Sequence, residues 1–226
     1  MKKIKEKKLK HYIQQFKQAA QHLDPADRRI KKLNIDFVRA VSRTIETRSG
    51  INKGQSKYIA KKALVVAAGL DMSMEEAEDI FYAGLLIQLG KIHLPDDLLT
   101  KPFYSMSIAG KYRYCRHAVD GADLLKALPQ FNGAMTLIRH QYEQYNGQGF
   151  PDGLIGHNIP LGSRILSVVS DYADYLNGSM TGKVMYADDA LSQLMIRKES
   201  HYDPEIVGIF ANVLSGATVE EFKAAR

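Results

Sequence analysis

Apolar residues recur at helical rather than alternating spacing along most of this 226-residue chain. Near the start, Leu9, Tyr12, Ile13, Phe16, Ala20 and Leu23 fall on one side of a helical wheel with lysines opposite, which predicts an amphipathic helix. Asp24 followed by Pro25 predicts another helix start, the carboxylate capping the first amides and the proline standing where no amide hydrogen is needed. Ser73 and Glu76 have the spacing of a capping box. IFYAGLLIQLG, which follows, is apolar nearly all round and is assigned to the centre of the core. Asp203 and Pro204 open a helix through IVGIFANVL, and Thr218 with Glu221 opens a short last one. No stretch alternates as a strand would and no internal repeat is found, so the fold class is all-α, a helical bundle.

Composition narrows this picture. With 45% apolar residues the chain has material for one full-sized core. The net charge of +6 is uneven: residues 1–32 carry eleven Lys or Arg against three acids, while the other residues carry 20 against 22. This separates a basic N-terminal helical segment, 1–45, from a domain over 46–226. The lysine-rich side is read as solvated, on a linker or a pairing helix, ahead of attachment to an anionic membrane or nucleic acid, so a homodimer through that helix is a candidate partnership. No aromatic stacking pattern accompanies the charge, and no specific nucleic acid is expected. The lone Cys115 excludes an internal disulfide and reads as a small core residue. No apolar run reaches the roughly 18 residues that span a bilayer, and the basic start lacks a secretory apolar region, so a cytoplasmic location is expected.

One loop is unusually specified. YEQYNGQGFPDG, residues 142–153, packs three glycines, a proline and Asn or Asp turn formers into twelve positions, with Glu143 as its potential catalytic carboxylate.

Together with LGKIHLPDDLLTK (89–101), RHAVDGADLL (116–125), the block NGQGFPDGLIGHNIPLGSRIL (146–166) and HYDPEIV (201–207), this loop resembles the HD-GYP family of bacterial cyclic di-GMP phosphodiesterases. The resemblance runs from about Glu46 to Leu214. It implies an HD-domain-like bundle with an extended GYP-type loop, holding two or three ions, usually iron or manganese, beside a cyclic dinucleotide. Such ions generate hydroxide near neutral pH and stabilise a phosphoryl transition state.

The family's ligand positions are mostly lost. Where it has Glu or Asp and then His near the first helix, this chain has Ile51 and Gln55; the HD dipeptide becomes Ile87 and Gln88. The His-His-Glu before the loop becomes Gln141, Tyr142 and Glu143, and the aspartate after IPLGSRIL aligns without a gap to Ser170. His117 alone is retained as a clear ligand. Neighbouring His140 and Asp171 lie one step off, a turn of about 100°, and are expected to stay outside the site. A new metal centre from His93, His117, His140 and His157 is disfavoured by their spacing.

The resemblance also implies that Lys91 and Arg164 serve as phosphate donors, and that Gly149, Phe150 and Pro151 form an exposed anchor for a partner such as a GGDEF-domain protein. The expected function is therefore a non-hydrolytic module of cyclic di-GMP signalling that binds a protein, the nucleotide or both, without a metal cofactor. The alternative is a phosphodiesterase rebuilt around His117 with iron or manganese.

Overall fold

The computed structural model describes residues 23–215. The amphipathic stripe before Leu23 and the Thr218–Glu221 helix start lie outside the described residues. Those described form a helical bundle, in which the only strand-like pairings are isolated bridges such as Tyr142 to Phe150.

The capping signals act as their chemistry requires. Helix α1 (Pro25–Ile45) starts on Asp24, whose carboxylate accepts from the amides of Ala26 and Asp27 at 2.7 and 2.9 Å. Helix α2 (Gln55–Gly69) follows Gly54, which has φ of 79° and no capping side chain; Glu46 takes over, accepting from the amides of Gly54 and Ser56 at 2.8 and 2.9 Å. Helix α3 (Met74–Leu86) begins with the Ser73–Glu76 capping box. Its second half is buried through Ile80, Tyr82, Ala83, Leu85 and Leu86.

Helices α2 and α3 form the centre. Ala60, Ala63 and Ala67 keep the α2 face flat, and a Cβ at Gly84 would stand 2.6 Å from the Ala60 Cα, so only glycine permits this approach. The apolar run continues past α3 not as α-helix but as a 3-10 turn, Leu89–His93. The reason is again contact: at Gly90 a Cβ would collide with the carbonyl of His117, because the turn lies directly on helix α6 (His117–Asp123). Between them run the single turn α4 (Asp96–Leu99) and helix α5 (Ile108–Cys115).

Helix α7 (Asn132–Arg139) leads into the specified loop, and α8 (Leu161–Asn177) lies against α2. Helices α9 (Ala187–Ile196) and α10 (Pro204–Leu214) close the bundle over α8, where Tyr172 and Phe210 meet edge to face at 5.1 Å. No described helix is long and apolar enough to cross a membrane.

Asp203 joins two of these elements. It caps α10 through the amides of Glu205 and Ile206, and its other oxygen accepts from Arg164 at 2.5 Å with only 2% of its side chain exposed. Asp203→Ala should therefore cost about 3–5 kcal/mol, because it strips a cap and leaves the Arg164 guanidinium buried without its anion. Asp203→Asn should cost less, since the caps persist. Urea unfolding of the two variants beside the parent chain measures both.

Candidate functional site

The 3-10 turn, α6 and the start of α2 bring most of the nine ligand positions marked by the family resemblance together, and their polar side chains are hydrogen-bonded. Gln55 donates to Asp174 at 2.5 Å, Gln88 to Ser56 at 3.2 Å, and Gln141 to the carbonyls of Ile138 and Ile87 at 3.1 and 3.4 Å. Ile51 and Ile87 are buried core residues. His117 is buried, its Nδ1 2.7 Å from the Tyr114 carbonyl and its ring edge to face with Tyr142 at 5.5 Å. Burial, reinforced by the Lys91 charge, drives its pKa down to about 3, so it is a neutral, packed imidazole.

Ser170 is not part of this group. It faces away and bonds the Ser167 carbonyl, while Asp171 and Asp174 line the cleft. The expectation that Asp171 stays outside is thus corrected: on α8 the cleft face runs through 167, 171 and 174, the helical period, and the gap-free alignment falls one residue off that face.

The two expected phosphate donors are otherwise engaged. Lys91 is 7% exposed; its Nζ donates to Gln88 Oε1 at 3.2 Å and lies 5.1 Å from the centroid of the Tyr114 ring. Burial alone would lower its pKa, yet Tyr114, Asp174 and Asp171 outweigh that and hold it above the ordinary lysine value. Arg164 donates to the Ile159 carbonyl and to Asp203, a buried structural ion pair rather than a phosphate arm.

Phe150 is likewise not an exposed anchor. It is half-buried, edge to face with Tyr112 at 5.2 Å, and with Gly149 it forms part of the cleft wall. The loop is fixed from inside by Glu143, whose two oxygens accept from the amides of Asp152 and Leu154 at 2.8 and 3.0 Å.

The four histidines do not converge: His93 and His157 are exposed and His117 is buried. Instead His140, Glu143 and Asp152 bring ligand-type atoms within 4.8 Å of one another. The three are already committed, Glu143 to loop amides and Asp152 to His140 Nε2 at 2.9 Å and Arg139 at 3.0 Å. The Arg139 contact first, then His140, hold the Asp152 carboxyl below its usual range.

Beside the network opens a cleft of about 780 Å³. Its walls carry Phe103, Tyr104, Tyr112 and Phe150, and two cations stand on them. Lys111 lies 5.6 and 5.7 Å from the centroids of Phe103 and Tyr104, while Arg197 lies 4.8 Å from that of Tyr104 and bonds its hydroxyl. At the floor, Tyr202 donates to Asp171 at 2.7 Å. Burial, opposed by that bond and helped by Asp174, raises the Asp171 carboxyl to about 7. Sequence reading missed Lys111, Arg197 and Asp174; the aromatic and basic run KYRYC and the i, i+3 pair Asp171–Asp174 were the signals available.

Compared with known proteins, residues 39–206 match the family model described as an HD domain. The chain is 32% identical over 170 residues to the cyclic di-GMP phosphodiesterase response regulator RpfG of Xanthomonas campestris, covering 74% of this chain and 44% of that one. It is 24% identical over 182 residues to 3'3'-cGAMP-specific phosphodiesterase 2 of Vibrio cholerae, covering 79% and 34%. The chain therefore spans less than half the length of these curated relatives. A crystal structure of a cyclic GMP-AMP-specific phosphodiesterase from V. cholerae superimposes with a TM-score of 0.65 at 16% identity over 84% of this chain and 52% of that one. An HDG"Y"P protein from Bdellovibrio bacteriovorus does so at 0.61 and 20% identity over 72% and 52%. At these identities the structures establish the likeness of fold.

Two measurements follow from the site. Glu143→Ala should leave the bundle folded but raise amide exchange at Asp152 and Leu154 by about tenfold or more, since each loses a bond to a charged acceptor worth about 1.5–3 kcal/mol. For Asp171 the sign is that of a raised acid: the native state keeps its proton while the unfolded chain, titrating near 3.8, has lost it. Relative to Asp171→Asn, the parent should lose stability as pH rises from about 4 to 7, by up to about 1.4 kcal/mol per unit, and level off above. Denaturant unfolding of both proteins across that range reads the difference; a flat difference would refute the buried, protonated Asp171.

Proposed function

The chain belongs to the HD domain family, as an HD-GYP-like member, and on that premise we propose that it reads a cyclic dinucleotide without hydrolysing it. The observation that carries this reading is the contrast between a sealed metal region and an open cleft beside it. The family's ligand positions offer isoleucine, amide, hydroxyl, a carbonyl-bonded imidazole and the Glu143 carboxylate; the amides are spent on Asp174, Ser56 and backbone carbonyls, and Glu143 on two loop amides. That donor set does not fit iron or manganese, which are held by carboxylates and free imidazole nitrogens.

The cleft fits the other half of the family's task. Aromatic walls present faces to purines, and Lys111 and Arg197 present cations to phosphodiester groups. Carboxylates at the floor would repel phosphate, but each is offset: Asp171 holds its proton up to about pH 7, Asp174 is bonded by Gln55, and the buried Lys91 ammonium lies in their field. The names of the relatives, which print cyclic di-GMP and 3'3'-cGAMP, support testing these two dinucleotides first.

A second reading, metal-dependent hydrolysis, draws support from the convergence of His140, Glu143 and Asp152. It would require an ion to displace Arg139 from Asp152 and loop amides from Glu143.

Isothermal titration with each dinucleotide, paired with a hydrolysis assay in added manganese or iron, separates these readings. Binding without turnover is expected, with Lys111→Ala and Arg197→Ala each weakening affinity about tenfold. Metal-dependent turnover abolished by His140→Ala would transfer the function to the triad. Neither binding nor turnover would leave the cleft without a nucleotide role.

A further inference from the structure

Besides its cations, the cleft holds a hydroxyl whose hydrogen finds no acceptor among the described residues. Tyr104 stands on the 3-10 turn Phe103–Ser105, half-buried in the cleft wall. Its backbone is fixed by a neighbouring loop: the amides of Phe103 and Tyr104 donate to the carbonyls of Ser179 and Met180 at 2.9 and 3.0 Å. Its hydroxyl oxygen meets two side chains, Arg197 and, at 2.5 Å, the Tyr175 hydroxyl of α8.

Donor and acceptor roles in this group follow by elimination. A guanidinium has donors and no acceptor, so Arg197 can only donate to Tyr104. Tyr175 is fully buried, and Tyr104 is the hydrogen-bond partner that its hydroxyl has among the described residues. A buried hydroxyl hydrogen left without an acceptor is costly, so Tyr175 donates as well. The Tyr104 oxygen has two lone pairs, and both are then filled. Burial raises the Tyr104 pKa despite the Tyr175 and Arg197 bonds, so the phenol keeps its own hydrogen at neutral pH. That hydrogen is directed to the open side of the group, which is the cleft. Two donors on one oxygen polarise the remaining O–H bond and strengthen it as a donor. The same ring has Lys111 at 5.7 Å and Arg197 at 4.8 Å from its centroid, so two cations flank the hydroxyl.

We propose that Tyr104 is a ligand-binding residue whose hydroxyl hydrogen is donated to a non-bridging oxygen of one phosphodiester group, between the charges of Lys111 and Arg197. The identity of the ligand rests on the cyclic-dinucleotide reading of the cleft; the donor itself suits any phosphate ester. Phosphate recognition is then collected at one ring edge, and Tyr112 and Phe150 are left to the bases.

Two titrations of the full-length chain test this. Cyclic di-GMP and 3'3'-cGAMP are titrated into the parent, Tyr104→Phe, Arg197→Ala and the double variant. Inorganic pyrophosphate is titrated into the parent isotopically labelled at tyrosine Cζ, with the Tyr104 resonance identified by its loss in Tyr104→Phe. Phenylalanine keeps the ring beside Lys111 and removes the hydroxyl alone. Tyr104→Phe should weaken dinucleotide affinity about tenfold, as loss of a hydrogen bond to a charged group does, and should still weaken it several-fold in the Arg197→Ala background. Pyrophosphate should move the Tyr104 resonance saturably. A Tyr104→Phe variant that binds as tightly as the parent overturns the proposal and leaves the reading of the cleft standing. So does one that costs nothing once Arg197 is gone, which makes Tyr104 a support for the guanidinium alone. If the parent binds neither dinucleotide, the reading of the cleft fails and the Tyr104 resonance decides the donor: a saturable shift with pyrophosphate upholds it, and an unmoved resonance overturns it.

Discussion

The arrangement of the site depends on one contact between backbones. Gly90 lies against the His117 carbonyl and the Gly121 amide so closely that neither position admits a side chain pointing at the other. This contact makes the 3-10 turn follow α3 instead of a further α-helical turn. It sets Gln88 and Lys91 beside His117 and Tyr114. A side chain at Gly90 would push the turn away from α6 and separate these groups together.

Within that frame, charge is managed by residues. Carboxylates buried together are costly in a low-dielectric interior, and HD-type bundles ordinarily have a multivalent ion to balance them. Here three glutamines stand among the marked positions, an aspartate holds its proton, and one buried ammonium answers Asp171 and Asp174. The region is closed by hydrogen bonds, and no buried polar side-chain atom is left unpaired among the described residues. What stays open is the cleft, whose aromatic walls come from the turn at Phe103 and Tyr104, from α5 and from the loop at Tyr142 and Phe150, and whose cations are Lys111 of α5 and Arg197 after α9.

The specified loop shows the same division. Its shape survives because Glu143 holds two of its amides from within, a task independent of any ion. Its aromatic, Phe150, turns inward against Tyr112 and narrows the cleft instead of standing free for a partner.

How much of this was legible depended on range. Caps were readable because they are local: Ser73 with Glu76, Asp24 with Pro25 and Asp203 with Pro204 act within one turn, and each is formed. The all-α class and the buried centre of α3 followed from periodicity for the same reason. The roles of Lys91, Arg164, Phe150 and Asp171 were not readable. Each is set by a partner distant in the chain: Tyr114, Asp203, Tyr112 and Tyr202 respectively. The amino-acid sequence by itself determined which residues were available and which helices they start. Only the tertiary structure decided which charges are already spent, because a side chain's free valence depends on what the fold brings within about 3 Å of it.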